Sequence, residues 1–191
     1  MFKTLAIVGS VAIIGLSAAT ARANALDHTP AQVAIEKEGV QMVGQVEEVA
    51  RDVKYHAERL QDLSRIVDVS RWSHYHHLDG IKDLVNDGLR PALSRLNAIG
   101  TQLPEWKQDS IDRMIADAKR LADDTTSAYI AKANGGGLPA AMNDDYKRFI
   151  ADVASHADAL VKTADAAHSY ATAHLKASEA GLKVPASRTS H

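Results

Sequence analysis

Apolar residues recur at alternating steps of three and four along four stretches of this 191-residue chain, and no other feature limits its fold as strongly. This spacing places the apolar side chains on one face of a helix and is typical of helices that pack against other helices. The first run consists of Val46, Val49, Val53, His56, Leu60, Leu63 and Val67. An aromatic content of only 5% also favours helix over strand, so the sequence predicts an all-α fold.

Capping and breaking residues mark where the helices begin and end. Thr29, Pro30 and Gln32 form a T-x-x-Q capping box with proline at the first helical position. Pro91 lies inside the second apolar run, and its missing N–H and its steric clash with the preceding turn predict a kink there. Three consecutive glycines at 135–137 end the third run.

Four helices are predicted from these patterns, at 30–69, 73–99, 104–133 and 144–178. Their short connections favour antiparallel neighbours. We therefore expect an antiparallel up-down four-helix bundle over residues 26–180, followed by a disordered tail at 181–191. Asn143 is expected to cap the fourth helix, and Trp72 and Trp106 are expected to close the two ends of the core.

The first 25 residues have the layout of a secretory signal peptide. Lys3 precedes an uncharged apolar run at 5–16, and small residues at 21–25 offer two overlapping A-x-A cleavage sites. An uncleaved N-terminal anchor is the alternative, but the apolar run is shorter than the roughly 20 residues that span a bilayer. We expect residues 1–25 to be removed and the mature protein, which lacks a transmembrane segment, to be periplasmic or secreted.

Charge and cysteine content exclude several classes of protein. The formal net charge is −2, and the basic residues alternate with acidic ones, so the dense basic face needed for nucleic-acid binding is missing. The chain has no cysteine, which excludes disulfides, thiol catalysis, cysteine-ligated metals and covalently attached c-type haem. Packing alone must therefore hold the bundle together.

His56 and His156 are the candidate metal ligands, because each occupies a predicted inward position where leucine or alanine is expected. At a rise of about 1.5 Å per residue, both lie roughly 18–20 Å from the same end of an up-down bundle. Facing imidazoles could bind zinc, copper or a haem iron, with Asp83, Asp87 or Asp124 as a further ligand. The alternative is that each histidine only hydrogen-bonds a buried partner such as Thr125 or Thr163.

Five further histidine and methionine positions have weaker interpretations. His74, His76 and His77 lie at a predicted helix start, where the helix dipole disfavours positive charge, so we expect neutral, surface-exposed side chains that are available to metals. Met42 and His168 fall near the other end of the bundle and could ligate haem. Few bulky aromatic residues surround them to line a porphyrin pocket, so haem is not expected.

Sequence motifs of common catalytic and cofactor sites are missing. The chain contains no Glu-x-x-His, no His-Glu-x-x-His and no Gly-x-Ser-x-Gly. The glycines at 135–137 are not followed by the Lys-Ser/Thr of a phosphate-binding loop. We therefore expect a protein that is not an enzyme and that holds no cofactor.

Three segments carry a resemblance to known proteins: His76–Asn86 (HHLDGIKDLVN), Leu103–Gln108 (LPEWKQ) and Ile111–Met114 (IDRM). Over residues 50–175, the chain resembles a group of uncharacterised secreted helical-bundle proteins of soil bacteria. The resemblance implies an exported helical bundle. It implies no activity, cofactor or site residue.

Two functions remain open from the sequence. The first is an exported, non-enzymatic bundle that binds a protein partner or a component of the cell envelope. The second is a bundle that binds a metal or haem through inward-facing histidines, with His56 and His156 as ligands. An exposed apolar patch would favour the first function, and facing imidazoles would favour the second.

Overall fold

Four helical rods build the protein in the computed structural model, which describes residues 29–103, 106–135 and 139–182. Within these ranges there is no strand, so the predicted all-α four-helix fold is confirmed. The predicted signal peptide and residues 183–191 of the predicted tail lie outside the described residues. The rods are α1 (Pro30–Ser64), α2 (Arg71–Asp83) continued by a π-helical segment (Leu84–Leu89) and α3 (Arg90–Ile99), α4 (Trp106–Asn134), and α5 (Asp144–Leu182).

Both predicted N-terminal caps are present. The backbone N–H of Gln32 donates to Thr29 Oγ1 at 3.3 Å, and Gln32 Oε1 accepts from the Thr29 N–H at 2.8 Å, which completes the capping box. At the start of α5, Asn143 Oδ1 accepts from the Tyr146 N–H at 3.0 Å. Each cap satisfies an amide that the helix leaves unpaired, and such a cap is worth about 1 kcal/mol.

Helix α1 ends at Ser64, so the prediction of one helix through residue 69 was wrong over 65–69. The Arg65 N–H bonds back to the Asp62 and Leu63 carbonyls and closes the last turn. Beyond it, the β-branched residues in 66–69 have low helix propensity, and Ser70 provides a competing start. Ser70 Oγ accepts from the Ser73 N–H at 3.2 Å, so α2 begins at Arg71.

The disruption predicted at Pro91 takes the form of the π-helical segment that joins α2 to α3. Because Pro91 lacks an N–H, the regular hydrogen-bond ladder is broken, and the Arg90 N–H instead bonds to the Val85 carbonyl, five residues back. Gly88 in this segment packs closely on α1, where an added Cβ would lie 2.8 Å from Val49 Cγ1. The widened turn therefore sits at a close approach of two helices.

Alanine, not histidine, occupies the central inward positions of α1 and α5. Ala57 and Ala157 are fully buried, whereas their neighbours His56 and His156 are only partly buried. The prediction placed the apolar seam one residue off at these two points. Small side chains at the seam let the helix backbones approach, and each imidazole is displaced to the flank of its helix.

The antiparallel order of α1 and α5 is visible in their ion pairs. Lys37, near the start of α1, pairs with Glu179, near the end of α5, at 2.8 Å. Lys54 pairs with Asp158, closer to the start of α5, at 2.6 Å. Helix α1 packs on one side against α5 and on the other against the α2–α3 rod, and α5 also packs against α4. None of the described helices has an apolar stretch long enough to cross a membrane.

Candidate site at the histidine-rich end of the bundle

Two helix connections meet at one end of the bundle and carry a cluster of histidines. The α1–α2 connection (65–70), the end of α4 and the start of α5 lie at this end, because consecutive rods run in opposite directions. We call it the histidine-rich end and define it by His56, His74, His76 and His77 with the aromatic and charged side chains packed around them.

His56 of α1 contacts His77 of α2 through their ring nitrogens. The two Nδ1 atoms are 2.9 Å apart, so one ring donates and the other accepts. Burial lowers the pKa of both imidazoles, and nearby histidines add to the effect: His76 for His56, and His56 followed by His76 for His77. Gly80 makes room for the His56 ring, since an added Cβ there would lie 2.8 Å from His56 Cε1.

His74 is fully buried, which corrects the expectation of a surface-exposed side chain. Its Nδ1 lies 3.0 Å from the hydroxyl of Tyr146, which is also fully buried. Its Nε2 has no hydrogen-bond partner among the described residues. Burial, and then the positive charge of Lys132, lower the pKa of His74 to about 4, so the ring is neutral at pH 7.

Tyr146 and Lys132 are site residues that the sequence reasoning missed. The Lys132 ammonium lies 5.4 Å from the centroid of the Tyr146 ring, a cation–π geometry, and only 7% of Lys132 is exposed. Burial lowers the pKa of this lysine. Tyr146 fits the apolar spacing of α5, but no sequence signal links its hydroxyl to His74.

A second tyrosine, Tyr129 of α4, contacts α2 at the same end of the bundle. The Tyr129 hydroxyl donates to the Asp79 carboxylate, and the Tyr129 ring stacks on Tyr75 with centroids 5.8 Å apart. Burial and the Asp79 charge raise the pKa of Tyr129, so the phenol stays protonated. These contacts join α2 to α4 at the histidine-rich end.

His156 contacts α4, not His56. Its Nε2 lies 3.4 Å from Asp124 Oδ2, and burial raises the pKa of that carboxyl against the opposing pull of His156. The structure therefore does not bring the two predicted metal ligands together: His56 faces α2, and His156 faces α4. The two histidines also lie at different heights along the bundle. Because α1 ends at Ser64, His56 lies about 12 Å from the end of α1, whereas His156 lies about 18 Å from the start of α5.

Of the other residues proposed around that site, only Asp124 contacts one of the two histidines. Asp124 does meet His156, but Asp83 and Asp87 are exposed. The Thr125 and Thr163 hydroxyls donate to carbonyls of their own helices, at 2.7 and 3.0 Å. The two histidines instead have His77 and Asp124 as partners. Among the described residues, no group of three or more His, Asp or Glu side chains could hold a metal ion.

The opposite half of the α1–α5 interface buries carboxylates against histidines. Glu47 Oε2 lies 2.6 Å from His168 Nδ1, and Glu36 Oε2 lies 3.3 Å from His174 Nδ1. Only 6% of Glu47 and 4% of Glu36 are exposed. His168 thus contacts a glutamate, whereas the sequence paired it with Met42 as a haem ligand.

Exposed apolar side chains concentrate at the histidine-rich end. Trp72 is 72% exposed and stacks on His76 with centroids 5.2 Å apart, so it does not close the core as predicted. The side chain of Trp106 lies outside the described residues. Of the seven large hydrophobic side chains that are exposed in the described part of the chain, six lie here and only Tyr170 lies elsewhere. The six are Tyr55, Ile66, Val67, Trp72, Ile130 and Met142.

A groove of about 530 Å³ between α4 and α5 extends this apolar surface. Ile130 and Met142 line it together with Phe149, whose ring is covered by the Arg148 guanidinium at 4.8 Å from the centroid. The groove is open to solvent, and Asp144 and Asp145 also line it. It offers an apolar floor with charged edges, as expected of a surface that contacts another molecule.

A comparison with protein-family models, with curated proteins and with solved structures gives no match to this chain. The resemblance to secreted bundles of soil bacteria therefore stays a prediction.

Proposed function

We propose that this protein is an exported, non-enzymatic helical bundle that binds a protein partner through the apolar surface at its histidine-rich end. One observation carries the proposal: six of the seven exposed large hydrophobic side chains in the described residues lie at that end. Scattered single hydrophobic residues are normal on a protein surface, whereas clustered ones are typical of interaction sites. The non-enzymatic part rests on the sequence, which carries none of the catalytic motifs considered.

The kinds of residue in this surface favour a protein partner. Trp72 and Tyr55 are aromatic, and aromatic side chains are enriched at the centres of protein–protein interfaces. The groove adds Met142, whose flexible side chain adapts to the shape of a partner.

The charge of this end argues against a lipid component of the envelope as the partner. The exposed basic and acidic side chains at this end are interspersed: Arg59, Arg65, Arg71 and Arg148 with Glu58, Asp62, Asp68, Asp144 and Asp145. Binding to anionic lipid needs a cluster of lysine and arginine beside the apolar residues, and these mixed charges do not provide one.

Site-specific photo-cross-linking in exporting cells tests the proposal. A photoreactive phenylalanine analogue replaces Trp72 in one strain and Tyr170, which is exposed at the other end, in the matched control strain. We expect position 72 to cross-link to one defined protein and position 170 to give no such product. A lipid adduct at position 72 would identify an envelope lipid instead, and equal products at both positions would contradict a dedicated surface.

A further inference from the structure

We propose that His56 and His77 form a binding site for a divalent transition metal such as Zn²⁺ or Cu²⁺ between α1 and α2. The Nδ1 atoms of the two imidazoles face each other at 2.9 Å across the helix interface. Both side chains are partly exposed, so an ion can reach them from solvent. This site does not rest on the proposed partner-binding surface.

The separation of the two nitrogens is close to that of two ligands on one metal. Zinc binds imidazole nitrogen at about 2.0–2.1 Å in tetrahedral geometry, which sets two ligating nitrogens about 3.3 Å apart. The observed pair needs to open by only a few tenths of an ångström, within reach of small side-chain rotations. Without metal, one ring carries its proton on Nδ1 and donates it to the Nδ1 of the other ring. For both Nδ1 atoms to bind a metal, the donor ring must shift that proton to Nε2, and both imidazoles then bind as neutral ligands.

The local sequence holds His56 in place for this role. Gly80 lies one turn after His77 on α2, and an added Cβ would come within 2.8 Å of His56 Cε1 and 3.1 Å of its Nδ1. Any side chain at position 80 would therefore displace the ring. Because Gly80 has no side chain, the His56 imidazole can pack directly against α2.

Two protein nitrogens leave the remaining metal positions to water or to another ligand. The nearest additional imidazole is His76, whose ring centroid lies 5.3 Å from that of His77. In the described residues no third ligand is already in place. An open site of this kind is expected to bind Cu²⁺ more tightly than Zn²⁺, following the general order of divalent metal affinities.

Titration of the untagged mature protein with Zn²⁺ and Cu²⁺, by calorimetry in a buffer free of chelators, tests this site. We expect one saturable ion per chain and at least a tenfold loss of affinity in His56→Ala and in His77→Ala. Gly80→Ala should also weaken binding, because it displaces His56 without removing a ligand. His156→Ala is the matched control and should bind as the unsubstituted protein does.

Two results would overturn the site. One is the absence of saturable binding by the unsubstituted protein, and the other is loss of binding in His156→Ala with retention in His77→Ala. Imidazole ¹⁵N NMR of the unsubstituted protein avoids any variant that fails to fold. Zn²⁺ should shift the Nδ1 resonances of His56 and His77 together and leave those of His156 in place. A shift confined to His156 would assign the metal elsewhere.

Discussion

The histidine-rich end and the opposite half of the α1–α5 interface both place histidines at helix contacts, but they surround them with different partners. His74 faces the Tyr146 hydroxyl and lies near the Lys132 ammonium, and His56 faces another imidazole. His168 instead faces the carboxylate of Glu47. A proton added to His74 meets a neutral hydroxyl and the like charge of Lys132. The histidines with lowered pKa values, His56, His74 and His77, all lie at the histidine-rich end, so we expect the acid sensitivity of the fold to originate there.

Removal of Tyr146 should have the largest effect, because it breaks the histidine-rich end at its most buried point. Tyr146→Ala opens a cavity and removes the partner of His74, so we expect a loss of about 3–5 kcal/mol in the free energy of unfolding. Tyr146→Phe keeps the ring but removes the hydroxyl that pairs with His74, so we expect it to lower the free energy of unfolding by about 1–3 kcal/mol. Urea unfolding measures both. Tyr170→Phe is the control, and an effect as large as that of Tyr146→Phe would contradict the assignment.

Acid should destabilise the protein through His74. Its pKa is about 4 in the fold against 6.5 unperturbed, so the unfolded chain binds the extra proton between these values. The stability that the neutral His74 contributes is complete above pH 6.5 and is lost as the pH falls towards 4. At pH 5 the loss in the free energy of unfolding amounts to about 2 kcal/mol. The lowered pKa values of His56 and His77 act in the same direction.

Urea unfolding at pH 8, 6.5 and 5 measures this loss. The variant His74→Phe should remove the largest part of the pH dependence, while His76→Phe, which changes an exposed ring on the same helix, should retain it. If His74→Phe kept the full dependence, the acid sensitivity would have to come from another group.

The opposite half of the α1–α5 interface should respond to loss of a carboxylate. Glu47→Gln removes a buried charge that faces His168 and Arg51, and we expect it to lower the free energy of unfolding by about 1–2 kcal/mol. The neighbouring Glu48→Gln changes an exposed residue and should stay within about 0.5 kcal/mol. Equal effects in the two variants would show that the Glu47–His168 contact does not support the fold.

Trp72→Ala should have the smallest effect on stability, because Trp72 lies on the surface of the histidine-rich end and not in its buried part. With 72% of the side chain exposed, we expect a change of no more than about 0.5 kcal/mol in the free energy of unfolding. Thermal unfolding followed by circular dichroism measures it. A loss above 2 kcal/mol would mean that Trp72 closes the core after all and is not kept for a partner.

Capping residues and apolar spacing made the helices predictable from sequence. The contacts of the candidate site were not predictable, because the spacing left the inward-facing residue uncertain by one position. The Thr29–Gln32 box and the Asn143 cap are read directly from sequence, and both are present. At the two key seam positions, however, an alanine and a histidine are adjacent, and sequence periodicity does not decide which of them points inward. The distance between the packed helices decides it, and in this fold it favours Ala57 and Ala157.

The contacts of the histidines depend on long-range packing that the sequence does not display. His77 reaches His56 only because α1 ends at Ser64 and Gly80 leaves space for the ring. Because α1 was predicted to extend to residue 69, the estimated distance of His56 from the end of its helix was too long. His74 looked exposed because it lies near a helix start, but its burial depends on Tyr146, 72 residues later in the chain.

Affinity for the protein that cross-links at position 72 is the most direct test that the histidine-rich end is the binding end. Trp72→Ala and Tyr170→Ala should be compared in the same assay, after both variants are shown to be folded. We expect at least a tenfold loss of affinity for Trp72→Ala, as for an exposed aromatic anchor, and less than a twofold change for Tyr170→Ala. Equal losses, or a loss confined to Tyr170→Ala, would contradict the proposed binding surface.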